Sequence, residues 1–166
     1  RGLSERCMTG NLPSIRGGFV GVYRRIVQSP GVVTVYYDAA QGQGFSRNIP
    51  IPTAPHLPSN LRQGWGDSRS QWEGETLVIE TTQFRSDSAL TGPNLHLIER
   101  LTRLDSDTVA YEYTVTDPSV YTAPYTVMMP LRRTDGPIFE YACHEGNYGM
   151  FGILAGARVF EQQGRE

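Results

Sequence analysis

The sequence predicts a mainly β protein, either an antiparallel up-and-down barrel or a strongly curved meander of about eight or nine strands, with one helix at the C-terminal end. Three observations favour this fold class. Apolar and polar residues alternate with a period of two through much of the chain. Strand-like runs recur at short, regular intervals with turn residues between them. Gly 18 and Pro 11 in 166 residues exceed the usual share, which favours turns over long helices.

The chain divides into an N-terminal arm at 1–18, which has no clear period, and a single barrel-like domain at 19–166. The segment YRRIVQSPGVVTVYYD predicts two strands around a Ser-Pro-Gly turn. GFSRNIPI predicts a third strand, which Pro50 and Pro52 cut short because proline cannot donate a hydrogen bond to a sheet. The segment PIPTAPHLPSN that follows predicts a stiff, extended surface loop.

Three further hairpins complete the strand pattern. SRSQWEGETLVIETTQF turns at Glu73 and Gly74, LHLIERLTRLDSDTVAYEYTVTD turns at residues 105–107, and APYTVMMPLRRTDGPIFEYAC turns at residues 135–137. Within each of the best-patterned strands, alternation places every second side chain on the same face of that strand. The residues that share a face are Val33, Val35 and Tyr37 in one strand, Leu77, Ile79 and Thr81 in another, and Val109, Tyr111, Tyr113 and Val115 in a third.

The last segment predicts a helix over about residues 148–163. Gly152 and Gly156 lower its helix propensity, yet their spacing would allow the helix to pack closely on the sheet. The apolar face of this helix would consist of Met150, Ile153, Leu154 and Ala157.

The charge composition excludes several classes of function. All 15 basic residues are arginine, so Schiff-base chemistry, a lysine base and a phosphate-loop lysine are excluded. With 17 acidic residues the net charge is −2 and no strongly basic face is visible, so we expect no nucleic-acid partner. No apolar run reaches the roughly 18 to 20 residues that span a bilayer, so we expect no membrane span.

The two cysteines predict an extracytoplasmic protein, either periplasmic or secreted. An even pair in a domain rich in glycine and proline favours one disulfide, Cys7–Cys143. The alternatives are two buried free thiols and a catalytic or metal-binding thiol. Because position 1 is Arg rather than Met, we expect a mature form or an excised piece. Self-association through the arm at 1–18 is a further hypothesis about partners.

Two stretches, GWGDSRSQWEGETLVIETTQF and FEYACHEGNYGM, resemble the motifs of a family of exported bacterial proteins with no known activity. The opening RGLSERC, the PHLP stretch and DTVAYEYTVTDP resemble the same family, so the likeness covers nearly the whole chain. The resemblance implies export and a shared fold. Because members often carry further N-terminal sequence, it also implies a longer precursor. It assigns no catalytic residue.

Motifs of nucleophilic and metal chemistry are missing from the sequence. No G-x-S-x-G elbow marks a serine nucleophile, and His56, His96 and His144 form no pattern of metal-ligand spacing. We therefore expect no metal and no cofactor. The sequence leaves open whether the three histidines converge in the fold.

The candidate catalytic residues are His144 and Glu145, where the predicted strand FEYAC ends before Gly146. Histidine is the side chain best suited to proton transfer near neutral pH, and Glu145, Glu80 or Glu140 would be its partner. The alternative for His144 is a structural role at the chain reversal. The alternative for the strand glutamates is an outward position, paired with arginines across the sheet.

The candidate ligand-binding residues are Trp65, Trp72, His56, Tyr111 and Tyr113. The two tryptophans flank GDSRSQ and would offer stacking surfaces, with packing at a barrel end as the alternative. Three functions remain open. They are a barrel that binds a small or apolar ligand, an acid/base enzyme of the lyase, isomerase or hydrolase type, and a structural subunit of an extracellular assembly.

Overall fold

The computed structural model describes residue 12 and residues 23–37, 45–52, 54–85, 93–138 and 149–164. Within these ranges it confirms the predicted mainly β fold with one C-terminal helix. The elements are β1 (Arg24–Ser29), β2 (Val32–Tyr37), β3 (Phe45–Pro50), β4 (Asp67–Glu73), β5 (Thr76–Thr82), β6 (His96–Arg103), β7 (Thr108–Thr116), β8 (Tyr125–Arg132) and α1 (Gly149–Gln162).

The described strands form two antiparallel sheets in chain order. β1, β2 and β3 make a three-stranded sheet, and β4 to β8 make a five-stranded sheet. Within each sheet every strand pairs with the next one in sequence, which is the up-and-down topology that the sequence predicted. Neither sheet is closed by the described strands, so a barrel and a curved meander both fit this arrangement.

Three of the predicted hairpins form where the turn residues stand in the sequence, whereas the second strand of the hairpin predicted to turn at residues 135–137 lies outside the described residues. The pairs Ser29–Val32 and Glu73–Thr76 each enclose a two-residue loop, and residues 104–107 join β6 to β7. These short loops fix the register of the strands that they connect. Register then decides which side chains face inward, because successive residues of a strand point to opposite faces.

The core combines residues from the inner faces of both sheets. Burying one large apolar side chain contributes about 1.5 to 3 kcal/mol relative to leaving it exposed, so this shared core is what holds the two sheets together. Leu12 belongs to it, although the sequence places this residue in the predicted arm. The buried apolar residues are Leu12, Val33, Val35, Tyr37, Ile49, Leu77, Ile79, Phe84, Leu95, Leu97, Tyr111, Tyr113 and Val115.

Helix α1 begins and ends within one residue of the predicted bounds, but it does not pack as expected. None of its described residues is buried, and Phe151 is 79% exposed. Helical spacing of apolar residues therefore predicted the helix correctly and its contacts wrongly. Among the described residues, no helix has the length and the apolar character needed to cross a bilayer.

Several predictions concern residues outside the described ranges. The predicted disulfide partners Cys7 and Cys143 lie there, as do the predicted catalytic residues His144 and Glu145. Glu140, proposed as a partner of His144, lies there as well. The disulfide and the His144 site therefore stay predictions.

Candidate functional site

An outward-facing polar group, here called the His56 cluster, lies at one end of the five-stranded sheet. β4 and β5 supply three of its members because alternation turns these residues away from the core. A fourth begins β6, and the fifth reaches the sheet from the proline-rich loop that follows β3. The members are Asp67, Arg69, Glu80, His96 and His56.

Asp67 anchors this cluster. His56 Nδ1 lies 2.8 Å from Asp67 Oδ2, and the Leu57 N–H donates to the same oxygen at 3.0 Å. Arg69 Nη1 donates to Asp67 Oδ1 at 2.6 Å. The carboxylate is buried beneath the loop, with Asp67 only 5% exposed. A buried carboxylate beside a histidine ring holds the imidazole in one orientation, with its Nδ1–H directed at the carboxylate.

Glu80 brings two of the three histidines together. His96 Nε2 lies 2.7 Å from Glu80 Oε1, and His56 Nε2 lies 3.7 Å from Glu80 Oε2. Glu80 thus takes the outward position, with a histidine rather than an arginine as its hydrogen-bond partner. No group of three or more His, Cys, Asp or Glu side chains in the described ranges is arranged to hold a metal ion.

The His56 cluster fastens the proline-rich loop to the sheet. Arg69 Nε donates to Pro55 O at 3.1 Å, and Gln83 Nε2 donates to Leu57 O at 2.6 Å. His56 Nε2 is buried and makes no hydrogen bond within the described residues. The nitrogen that would accept a proton is therefore shielded, so the geometry suits loop attachment better than proton transfer to a solute.

A buried ion pair lies between the inner faces of the two sheets. Arg47 of β3 and Glu99 of β6 place Nη1 and Oε2 2.6 Å apart. Arg47 also donates from Nε to Ser68 Oγ at 2.8 Å and from Nη2 to Thr81 Oγ1 at 2.6 Å. Burial by itself lowers the pKa of the Arg47 guanidinium, but the Glu99 carboxylate and the Tyr37 phenol together outweigh burial and raise the pKa above its ordinary value. The Arg47 guanidinium therefore stays charged, and its bonds to β4, β5 and β6 connect the two sheets in the interior.

Tyr111 and Tyr113 face this interior, as their alternation predicted. Tyr111 Oη donates to Glu99 Oε1 at 2.8 Å. Burial, together with the Glu99 carboxylate, raises the pKa of the Tyr111 phenol well above its ordinary value. The Arg24 guanidinium carbon lies 4.8 Å from the centroid of the Tyr111 ring and 5.5 Å from that of Tyr37, which is cation–π geometry. The tyrosines fill the interior rather than line an open lumen.

A cleft of about 590 Å³ opens between β1, β8 and the β6–β7 turn. Part of its wall is apolar, from Ile26, Val109 and Leu131. Its opening lies at the end of the five-stranded sheet opposite the His56 cluster, because β6 begins at the cluster and ends at this turn. The charged residues that line the cleft are Arg24, Arg25, Arg103, Arg132, Arg133, Asp105 and Asp107.

The β6–β7 turn holds part of this charged lining in place. Arg103 donates from Nε to Asp105 O at 3.1 Å and from Nη2 to Ser106 O at 3.2 Å. The Asp107 N–H donates to Asp105 Oδ1 at 2.7 Å and lowers the pKa of that carboxyl below its ordinary value. Two backbone carbonyls orient the Arg103 guanidinium without cancelling its charge.

The five predicted ligand-binding residues occupy separate places. Tyr111 and Tyr113 are interior, and His56 is on the outer face. Trp65 packs near Tyr37, with 6.3 Å between ring centroids and 27° between ring planes, so its packing alternative fits. Trp72 is 45% exposed and borders a shallow depression beside the β1–β2 loop. The structure does not bring these residues into one site.

Sequence reasoning missed the arginines of the cleft. A signal was present, because Arg24-Arg25 and Arg132-Arg133 are the two Arg-Arg pairs in the chain. One pair begins the first described strand, and the other consists of the last residue of β8 and the residue after it. Their meeting depends on how the two sheets are placed, which the alternation of side chains does not specify.

Comparisons with protein-family models, with curated proteins and with solved structures find no match for this chain. The resemblance to a family of exported bacterial proteins therefore stays a prediction.

Proposed function

We propose that the protein is an exported, calycin-like binding protein that takes a small ligand in the cleft between β1 and β8. The observation that carries the proposal is the cleft itself. Its volume of about 590 Å³ lies in the range of small-molecule sites, and its lining combines an apolar wall with several polar side chains. Four strands, β1, β6, β7 and β8, contribute to it, so the folded protein forms the cleft and no single segment does.

The contents of the interior support a ligand at the mouth of the fold rather than in its centre. The Arg47–Glu99 pair and the tyrosines around it are buried and bonded to one another. Displacing either charge for a ligand would leave the other charge buried without its partner, which costs several kcal/mol. The cleft next to Arg24 requires no such displacement.

The test uses N-phenylnaphthylamine, a neutral apolar dye whose fluorescence rises on binding. We expect saturable binding to the intact protein and a loss of binding in Ile26→Trp, because Ile26 is a 41% exposed wall residue and the larger ring fills the cleft. Thr134→Trp, on a neighbouring loop of the same lining, is a second filling variant. Circular dichroism verifies that both variants fold.

Phe151→Ser is the matched control, because Phe151 is an exposed apolar residue on helix α1, away from the cleft lining. It should leave the affinity for the dye unchanged. Equal loss in the control and the filled variants would mean that the dye binds exposed apolar surface in general, and the proposed function would then be wrong.

Acid/base catalysis is a second candidate, favoured by the 2.8 Å contact between His56 and Asp67, and it requires the proline-rich loop to move so that the buried His56 Nε2 reaches a substrate. An imidazole oriented by a carboxylate is the arrangement of a general base. The test compares the parent chain with His56→Gln and the control Arg100→Gln on chromogenic esters and glycosides. Loss of turnover in His56→Gln but not in Arg100→Gln would support acid/base catalysis. Equal turnover in all three proteins would exclude His56 as the base.

A further inference from the structure

We propose that the ligand is a small amphipathic anion, with a carboxylate, phosphate or sulfonate head group and an apolar body. This inference rests on the proposed function of the cleft and adds the chemical class of its ligand. It depends on how charge is distributed around the cleft, which the composition of the chain as a whole does not show.

Positive charge is concentrated at the cleft. The whole chain carries 15 arginines against 17 acidic residues, whereas the described residues that line the cleft include five arginines and two aspartates. One third of the basic residues thus meet in one cavity of a protein whose net charge is negative. A cavity with an excess of one sign raises the local concentration of ligands of the opposite sign.

The acidic residues that the structure describes near the cleft do not neutralise this excess. Arg133 lies 3.7 Å from Asp107 and 3.5 Å from Asp135, and all three side chains are more than half exposed, so these pairs are weak. Arg103 is oriented by backbone carbonyls rather than by a carboxylate. Guanidinium groups held in this way present N–H donors in the fork geometry that matches an oxyanion.

The apolar wall decides between a bare inorganic anion and an organic one. Ile26 and Val109 lie on strand faces that continue into the core, next to the Arg24 side chain. A phosphate ion would leave this wall in contact with water, whereas an apolar body would cover it. The geometry therefore favours a molecule whose charged and apolar ends match the two parts of the lining.

A pair of dyes with the same aromatic body tests the inference. Anilinonaphthalene sulfonate carries an anionic group, and N-phenylnaphthylamine lacks it. We expect the sulfonate to bind more tightly than the neutral dye and its affinity to fall with added salt, since screening weakens charge contacts. Arg25→Gln and Arg132→Gln should each lower the affinity for the sulfonate dye by about tenfold, the usual loss for one charge-assisted hydrogen bond. The affinity for the neutral dye should stay unchanged in both variants.

Arg100→Gln is the matched control, because Arg100 pairs with Glu73 on the outer face of the five-stranded sheet. It should change neither affinity. If both dyes bind equally well and the cleft arginines have no effect, the anionic ligand is wrong while the binding function stands. If neither dye depends on Ile26, the proposed function itself fails. Inorganic phosphate that displaces the sulfonate dye as well as an aliphatic carboxylate does would overturn the requirement for an apolar body.

Discussion

At the scale of single residues, the Arg47–Glu99 pair shows how the interior tolerates charge. Both side chains are almost fully buried, and each has further bonds to hydroxyl groups. Such a pair contributes little compared with an apolar pair of equal volume, but removing one partner leaves a buried charge alone. The stability of the fold therefore depends on the pair being complete.

We expect Arg47→Met to lower the free energy of unfolding by about 3 to 5 kcal/mol, because Glu99 is then left buried without its partner. Urea unfolding followed by circular dichroism measures the loss. The double variant with Arg47→Met and Glu99→Leu should recover most of the lost stability, since neither charge remains. A double variant as unstable as the sum of the two single changes would contradict this account.

Gly66 is required for a close approach of the backbone. Its φ of +69° is unfavourable for other residues, and a Cβ there would lie 2.7 Å from Thr82 O and 2.9 Å from Phe84 Cζ. Backbone strain in a sparsely populated conformation costs about 1 to 3 kcal/mol by itself. Because the clash adds to this strain, we expect Gly66→Ala to lower the free energy of unfolding by more than that amount. Thermal unfolding measures the difference.

Gly74→Ala is the control for Gly66→Ala. Gly74 has a similar φ of +59°, yet a Cβ there meets nothing within 4 Å. The control should therefore show the cost of strain without the cost of the clash. If the two variants lose the same stability, close packing at Gly66 does not contribute.

At the scale of elements, the proline-rich loop behaves as part of the five-stranded sheet because Asp67 accepts hydrogen bonds from His56, Leu57 and Arg69. Its stiffness comes from proline, but its position comes from these contacts. We expect Asp67→Ala to lower the free energy of unfolding by about 1 to 3 kcal/mol, since buried donors lose their acceptor. Limited proteolysis should then cut the loop faster than in the parent protein. Asp135→Ala, at a 92% exposed carboxylate, should do neither.

At the scale of the whole molecule, we expect the protein to unfold at a lower alkaline pH than most proteins of its size. Burial, then the Tyr121 phenol beside it, raises the pKa of Tyr125 to about 12, and burial also raises the pKa of Tyr37, Tyr111 and Tyr113. Unfolded phenols ionise near pH 10. Since the folded values are higher, this stability is present in full below about pH 10 and is lost as the pH rises through the folded values.

Urea unfolding at successive pH values measures that loss, and phenolate absorbance reports when the tyrosines ionise. Tyr111→Phe should flatten the dependence on pH, because one buried phenol no longer releases a proton on unfolding. Full ionisation of all tyrosines near pH 10 with an intact β-sheet spectrum would contradict the prediction.

The sequence was sufficient for the strands and insufficient for the sites. Alternation predicted that Leu77, Ile79 and Thr81 share one face of β5, and the structure shows that this face is the buried one. The same alternation puts Arg47 on the face of Ile49, but no local pattern shows that its partner is Glu99, more than fifty residues along the chain. The cleft has the same origin, because its walls come from the first and last described strands. Contacts between distant strands are what a single sequence leaves undetermined.

Because the chain contains no lysine, amine-directed chemistry cannot remove the positive charge of the cleft. Among the described residues of its lining, the positive charge comes from guanidinium groups alone. Acetylation, glycation and amine-directed labels act on side-chain amines, and this cleft offers them none. Acetylation of lysine therefore cannot neutralise the charge of the cleft. The fraction of protein with bound ligand should depend instead on the ligand concentration and on the ionic strength.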